Sequence, residues 1–230
     1  MAALQSWFAQ LEIEKLLLPL ITACSALLCI TLHEMCHGLM AYFLGDDTAK
    51  RAGRLSLNPL KHLDIFGLIM LLTVKFGWAK PVPIDLRRFR NPRAGMAITA
   101  LAGPLGNIFL AWVAMMLYGV CVFYDQLTGS EIWYYAALFF YYTMYLSVGL
   151  AVFNLIPVPP LDGSKLLFSV LPPKWYMLLM RYERYGMVLL VVLLWSGVLD
   201  VPLDALRGAL VWVLSRIGLW PYHLLYAVCF

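Results

Sequence analysis

The chain has 230 residues, 63% of them hydrophobic and 13% charged, with a mean hydropathy of +0.79 and a formal net charge of +4. A soluble domain is about 45–50% apolar and about 25% charged, so the surplus apolar surface must face lipid. An ordinary soluble enzyme is excluded. So is a nucleic-acid binder, because the basic residues flank apolar runs instead of coating a soluble face.

Residues 1–15 are mixed in character and carry Trp7 and Phe8, which suit a membrane interface; they read as an amphipathic lead-in and not as a cleavable signal peptide. The first core helix is expected over residues 16–44, stopped by Gly45-Asp46-Asp47. The stretch from Thr48 to Pro92 differs from the rest. Ten of the 17 Lys and Arg lie between Lys50 and Arg93, among repeated Gly and Pro. Residues 62–76 are apolar but short for a crossing, with cations before and after them. A true span would put strong positive charge on both membrane faces, so a re-entrant segment is expected. Trp78-Ala-Lys-Pro-Val-Pro-Ile84 alternates and holds two prolines, which suits an extended, β-like edge.

Further core helices are expected over 94–124 and 131–155, and C-terminal spans over about 175–199 and 203–228. Between them, Asn154-Leu-Ile-Pro-Val-Pro-Pro-Leu-Asp-Gly163 breaks the helix with three prolines. Non-helical backbone at membrane depth is tolerated only where protein or a water-filled cavity satisfies it. The expectation is therefore an all-α polytopic membrane protein: one domain over 1–230, about four to six crossings, and a re-entrant or β-like loop between the first two core helices. With the basic stretch in the cytoplasm, Lys165, Lys174, Arg181 and Arg184 fall on that side as well. The five cysteines are scattered through apolar segments without paired spacing and read as buried small hydrophobes.

His33-Glu34-Met-Cys-His37 is an H-E-x-x-H motif inside an apolar helix. Positions i and i+4 share one helix face, so both imidazoles reach one zinc ion, and Glu34 is placed to take a proton from water. Ionisable groups inside a bilayer are costly and default to function. The bland alternative is a pair of satisfied histidines within a bundle. Catalytic zinc takes three protein ligands, so a third is required. His62 borders the basic loop and His223 lies in the C-terminal run. Asp162 follows the Pro-rich break, although Asp-Gly is also a common turn pair.

Three motifs occur in order: the H-E-x-x-H motif, then Ala102-Gly-Pro-Leu-Gly-Asn107, then Asn154 to Gly163. In this the chain resembles the site-2 proteases, intramembrane zinc metalloproteases, and within them the compact bacterial branch without a PDZ domain. The resemblance covers about residues 20–173. It implies that Asp162 joins His33 and His37 on a single Zn2+, that Glu34 is the general base, and that Asn154 helps stabilise the oxyanion. For Asn154, bonding to its own helix backbone is a competing reading. Gly103 and Gly106 suit close helix approach. The resemblance also brings Trp78, Pro81, Val82, Pro83 and Asn107 toward the substrate, with strand addition as one mode of contact.

The implied partners are transmembrane protein substrates, the lipid bilayer and a regulatory membrane protein. The implied location is the bacterial inner membrane, with the active site nearer the cytoplasm. Two other classes compete: a catalytically silent scaffold that binds membrane helices, and a metal or proton transporter. Retention of all four site residues argues against the first. The second would favour paired broken helices in related halves, and the sequence has none.

Overall fold

A computed structural model of the protein describes residues 13–64, 80–172 and 185–229. Helix α1 (Ile13–Phe43) turns off at Gly45, whose φ of 103° is open to glycine and to few other residues. A single turn, α2 (Thr48–Arg51), follows. Helix α3 (Pro92–Thr128) begins where Asn91 caps the Ala94 amide at 3.3 Å and Pro92 supplies a pre-set φ. Helix α4 (Glu131–Asn154) ends at the proline cluster. Helix α5 (Asp162–Val170) restarts beyond it. Three more helices complete the described chain: α6 (Tyr185–Trp195), α7 (Asp200–Gly218) and α8 (Trp220–Cys229).

Three helices, α1 from Lys15, α3 and α4, are long and apolar enough to cross a membrane. Helix α6 and the α7–α8 run pass the same test only as a pair, bent by 85°, which brings the number to four at most among the described residues. The chain is thus an all-helical membrane protein, with no strand among the described residues.

The apolar core joins α3, α4 and α7 through Ala111, Ala114, Met115, Met144, Val148 and Leu214. Helix α1 meets α4 differently, through small polar side chains. Ser25 donates to the Phe139 carbonyl at 3.2 Å, and Thr143 donates to Ser25 at 3.2 Å. Cys29 and Ser147 approach to 3.0 Å. Where lipid removes most of the hydrophobic drive between helices, such bonds contribute about 0.6 kcal/mol each.

The segment after α1 is fastened to its end. The buried Asp46 carboxylate accepts the Asp85 amide at 2.7 Å and the Thr48 amide at 3.0 Å, and Arg88 pairs with Asp47. Arg54 donates to the Lys80 and Pro81 carbonyls, and the Lys80 amide donates to the His62 carbonyl at 2.9 Å. In the described part of the expected β-like stretch, 80–84, there is no ladder. Side chains nevertheless alternate: Pro81 and Pro83 are exposed and Val82 is buried. Trp78 and most of the expected re-entrant segment 62–76 lie outside the described residues.

Candidate metal centre

Helical spacing puts His33 and His37 on the same face of α1, turned toward α3 and the start of α5. Their rings meet edge to face, with centroids 4.6 Å apart, and both are buried. The Nε2 atoms are 3.0 Å apart. Asp162 Oδ2 lies 3.1 Å from His33 Nε2 and 2.9 Å from His37 Nε2. Three ligand atoms therefore form a nearly equilateral triangle in a buried position. Tetrahedral zinc with bonds of about 2.0–2.2 Å would space its ligands by roughly 3.3–3.6 Å. The triangle is slightly smaller than that and needs only a few tenths of an ångström of expansion.

The surroundings fit a metal as well. His37 Nδ1 lies 2.7 Å from the Thr99 carbonyl of α3, an acceptor only, so Nδ1 carries the proton and Nε2 presents a lone pair. His33 Nδ1 faces the fully buried amide of Asn107 at 3.2 Å. The same amide leaves its oxygen buried and unpartnered. With the amide turned over, Oδ1 would accept the Nδ1 proton of His33 and Nε2 would again be a lone pair, the unpartnered buried position passing to the amide nitrogen. Assignment of amide O and N rests on such networks. With both tautomers set this way, two lone pairs and a carboxylate oxygen converge on one point. A cation is what such a donor set accommodates.

Asp162 is the first residue of α5, directly after the proline break. Its other oxygen, Oδ1, accepts from Lys165 Nζ at 3.0 Å, so Oδ2 is left to face the cation with the histidines. Burial opposes ionisation of this carboxyl. The Lys165 ammonium on Oδ1 favours the ionised carboxylate against that burial, the form that a cation requires. Two glycines make the approach possible. A Cβ on Gly103 would collide with His37 Nε2 and His33 Cε1, so bare α3 backbone forms one wall of the site. A Cβ on Gly163 would collide with the Leu155 and Ile156 carbonyls, so α5 can start against the end of α4.

Glu34 is half-buried beside the triangle, and its Oε2 accepts the Val82 amide at 3.0 Å. Val82 carries the only N–H in Pro81-Val82-Pro83, since proline has none. Asn154 donates Nδ2 to the Leu150 carbonyl of its own helix at 3.0 Å, the local bond that the sequence offers as a competing reading. His62 turns away, with Nε2 2.8 Å from the Ser56 carbonyl. Among the described residues, His33, His37 and Asp162 form the one cluster of His, Cys, Asp and Glu able to hold a metal.

Comparison with known proteins agrees with this geometry. The chain is 39% identical, over 197 residues, to a Bacillus subtilis (strain 168) protein named "Putative zinc metalloprotease YwhC", covering 81% of this chain and 87% of the relative. A model described as peptidase family M50 matches residues 124–196, the stretch that contains Asp162. The chain belongs to peptidase family M50. Members of this family, the site-2 proteases, are zinc metalloproteases, and this chain is one by membership. Proteins named "Putative zinc metalloprotease Rip2" are also similar: 30% identical in Mycolicibacterium smegmatis and 27% in Mycobacterium tuberculosis H37Rv, each over 178 residues, 76% of this chain and 66% of the relative. No solved structure matches the chain.

Two features of the site escape the sequence motifs. The Thr99 contact is a backbone carbonyl, which every residue possesses, so no side-chain pattern could announce it. Lys165 had a faint signal: it stands three residues after Asp162 on one helix face.

Proposed function

We propose that this M50 chain hydrolyses peptide bonds within or near the transmembrane segments of membrane proteins, with His33, His37 and Asp162 holding one zinc ion. The observation that carries this reading is the convergence of three buried ligand atoms beside Glu34, two of them on a helix long and apolar enough to cross a membrane. At a rise of 1.5 Å per residue, His33 and His37 lie roughly 15 Å and 9 Å below the C-terminal end of α1 at Phe43. That depth falls inside the hydrocarbon region, on the side of the basic loop. The positive-inside bias supports a cytoplasmic placement of that side, and the bacterial source of the relatives supports the bacterial inner membrane.

Zinc bound there supplies Lewis acidity, polarising the scissile carbonyl and bringing the pKa of water toward about 7. Glu34 takes the proton of the attacking water and later gives it to the leaving amine. The Val82 amide holds Oε2 and leaves Oε1 to do this. Thr99 and Asn107 fix the histidine rings, and Lys165 keeps Asp162 on one oxygen. Asn107 thus acts behind His33 as a positioning residue and not as a substrate contact. Asn154 spends one of its two N–H groups on Leu150 and retains the other for an oxyanion.

A substrate helix must unwind to present a carbonyl. Strand addition at residues 80–84 would rely on the Val82 and Pro83 carbonyls and the Ile84 amide, because the Lys80 and Val82 amides and the Lys80 and Pro81 carbonyls are engaged. Comparison of membrane proteomes from cells with the wild-type chain and with Glu34→Gln tests the reading. Fragments cut in or beside transmembrane segments should appear only with wild type. Equal fragment sets from both would overturn it.

A further inference from the structure

Four cations of the basic stretch have acidic or phenolic partners. Arg51 pairs with Asp47, Arg87 with Asp85, Arg88 with Asp46, Asp47 and Asp85, and Lys50 donates to the Tyr42 hydroxyl at 3.0 Å. Arg54, Lys61 and Lys80 are different. They line one cavity of about 290 Å³, together with Gly53, Leu60 and Leu63. None of the three forms an ion pair with a carboxylate among the described residues. Arg54 is only 7% exposed; its guanidinium holds two loop carbonyls, and its Nε is buried without a partner. Lys61 Nζ donates to the Gly53 carbonyl at 3.1 Å and retains two protons. Three like charges around one hollow repel each other, and an anion would relieve that repulsion.

The setting points to which anion. Leu57 and Leu60, beside the cations, are 62% and 75% exposed. Cations flanked by exposed leucines suit the headgroup level of a bilayer, where apolar side chains dip inward and ammonium groups meet phosphate. We propose that Arg54, Lys61 and Lys80 form a binding site for a phosphate group, presented by an anionic phospholipid. A small soluble phosphate has the same chemistry and is the other source to be separated. Occupancy would also act on residues 80–82, because Arg54 holds the Lys80 and Pro81 carbonyls and Val82 reaches Glu34.

The test uses the full chain in nanodiscs of phosphatidylcholine alone or mixed with phosphatidylglycerol. Bound lipids are counted by mass spectrometry of the intact complex, and amide hydrogen exchange is followed over residues 80–86. Lys61→Gln/Lys80→Gln is set against Arg87→Gln/Arg90→Gln, which removes the same charge outside the cavity. At about fivefold per cation, the first pair should weaken phosphatidylglycerol retention about 25-fold and abolish lipid-dependent protection, and the second should change neither by more than about twofold. Inorganic phosphate added to phosphatidylcholine discs separates the sources: protection equal to that from phosphatidylglycerol would support the phosphate site and make its ligand soluble. Equal loss in both double variants, or no protection from either ligand, would overturn the site.

Discussion

In the metal centre every ligand is carried by a helix: α1 supplies the histidines, α3 orients them, and α5 brings Asp162 together with the Lys165 that holds it. The loop that carries Val82 is held instead by scattered contacts, Asp46 to the Asp85 amide, Arg54 to the Lys80 and Pro81 carbonyls and Arg88 to the Asp47 carboxylate, and among the described residues one hydrogen bond, from Val82 to Glu34, ties it to the centre. Helix-borne geometry is cooperative and stiff. Loop geometry of this kind can open one bond at a time. The contrast suits a protease whose metal must stay fixed while a substrate enters beside it.

The sharpest way to break the contrast is at its rigid side. Gly103→Ala puts a methyl group into the imidazoles, so the purified protein should retain its helical circular dichroism and lose its zinc, as judged by elemental analysis. Normal zinc content would show that α3 does not wall the site. Glu34→Gln should leave zinc content unchanged and lower cleavage by about 10²–10⁴-fold, the range of a lost general base. Next in size, Asn107→Ala should weaken zinc affinity by about 10–100-fold in competition with a chelator, as expected for a residue that orients a ligand. An Asn107→Asp variant, which restores an acceptor for His33 Nδ1, should recover part of that loss.

The smallest effect belongs to the loop. Asp46 is buried, which by itself opposes ionisation, but hydrogen bonds from Thr48 and Asp85 and the charge of Arg88 hold its carboxyl below the ordinary range. A carboxyl lowered in this way stabilises the fold above its unfolded pKa of about 3.9, and that stabilisation is lost as pH falls through the lower folded value. Asp46→Asn should therefore speed exchange of the 85–90 amides at neutral pH by roughly five- to tenfold, about 1–1.4 kcal/mol. The gap between variant and wild type should close under acid. A gap independent of pH would mean that the tether is not the ionised carboxylate.

How much of this was legible in the sequence follows the same division. Hydropathy and helix-stop residues place α1, α3 and α4 to within a few residues, because long apolar helices are set by lipid and by local capping. The C-terminal part was less legible: the runs at 175–199 and 203–228 read as separate spans, and the described residues there form a helix pair bent by 85°. Composition cannot show a bend. At the centre, the i, i+4 spacing delivers the histidines unaided, while Asp162, 129 residues beyond His33, is reached only through ordered motifs. For Asn107 the resemblance points toward the substrate, and a polar residue on a glycine-rich face gives no hint of the His33 ring that lies opposite it. Its place behind His33 depends on how two helices cross.

The central claim is a zinc site made of two imidazoles and one carboxylate oxygen, drawn from three parts of the chain. X-ray absorption at the zinc edge of the purified full chain tests it most directly. The account predicts nitrogen and oxygen scatterers alone at about 2.0–2.2 Å, two of them imidazole, falling to one imidazole in His37→Ala. Cys36 lies on the same helix turn as the motif, so a sulfur scatterer near about 2.3 Å, or a spectrum unchanged by His37→Ala and Asp162→Asn, would contradict it.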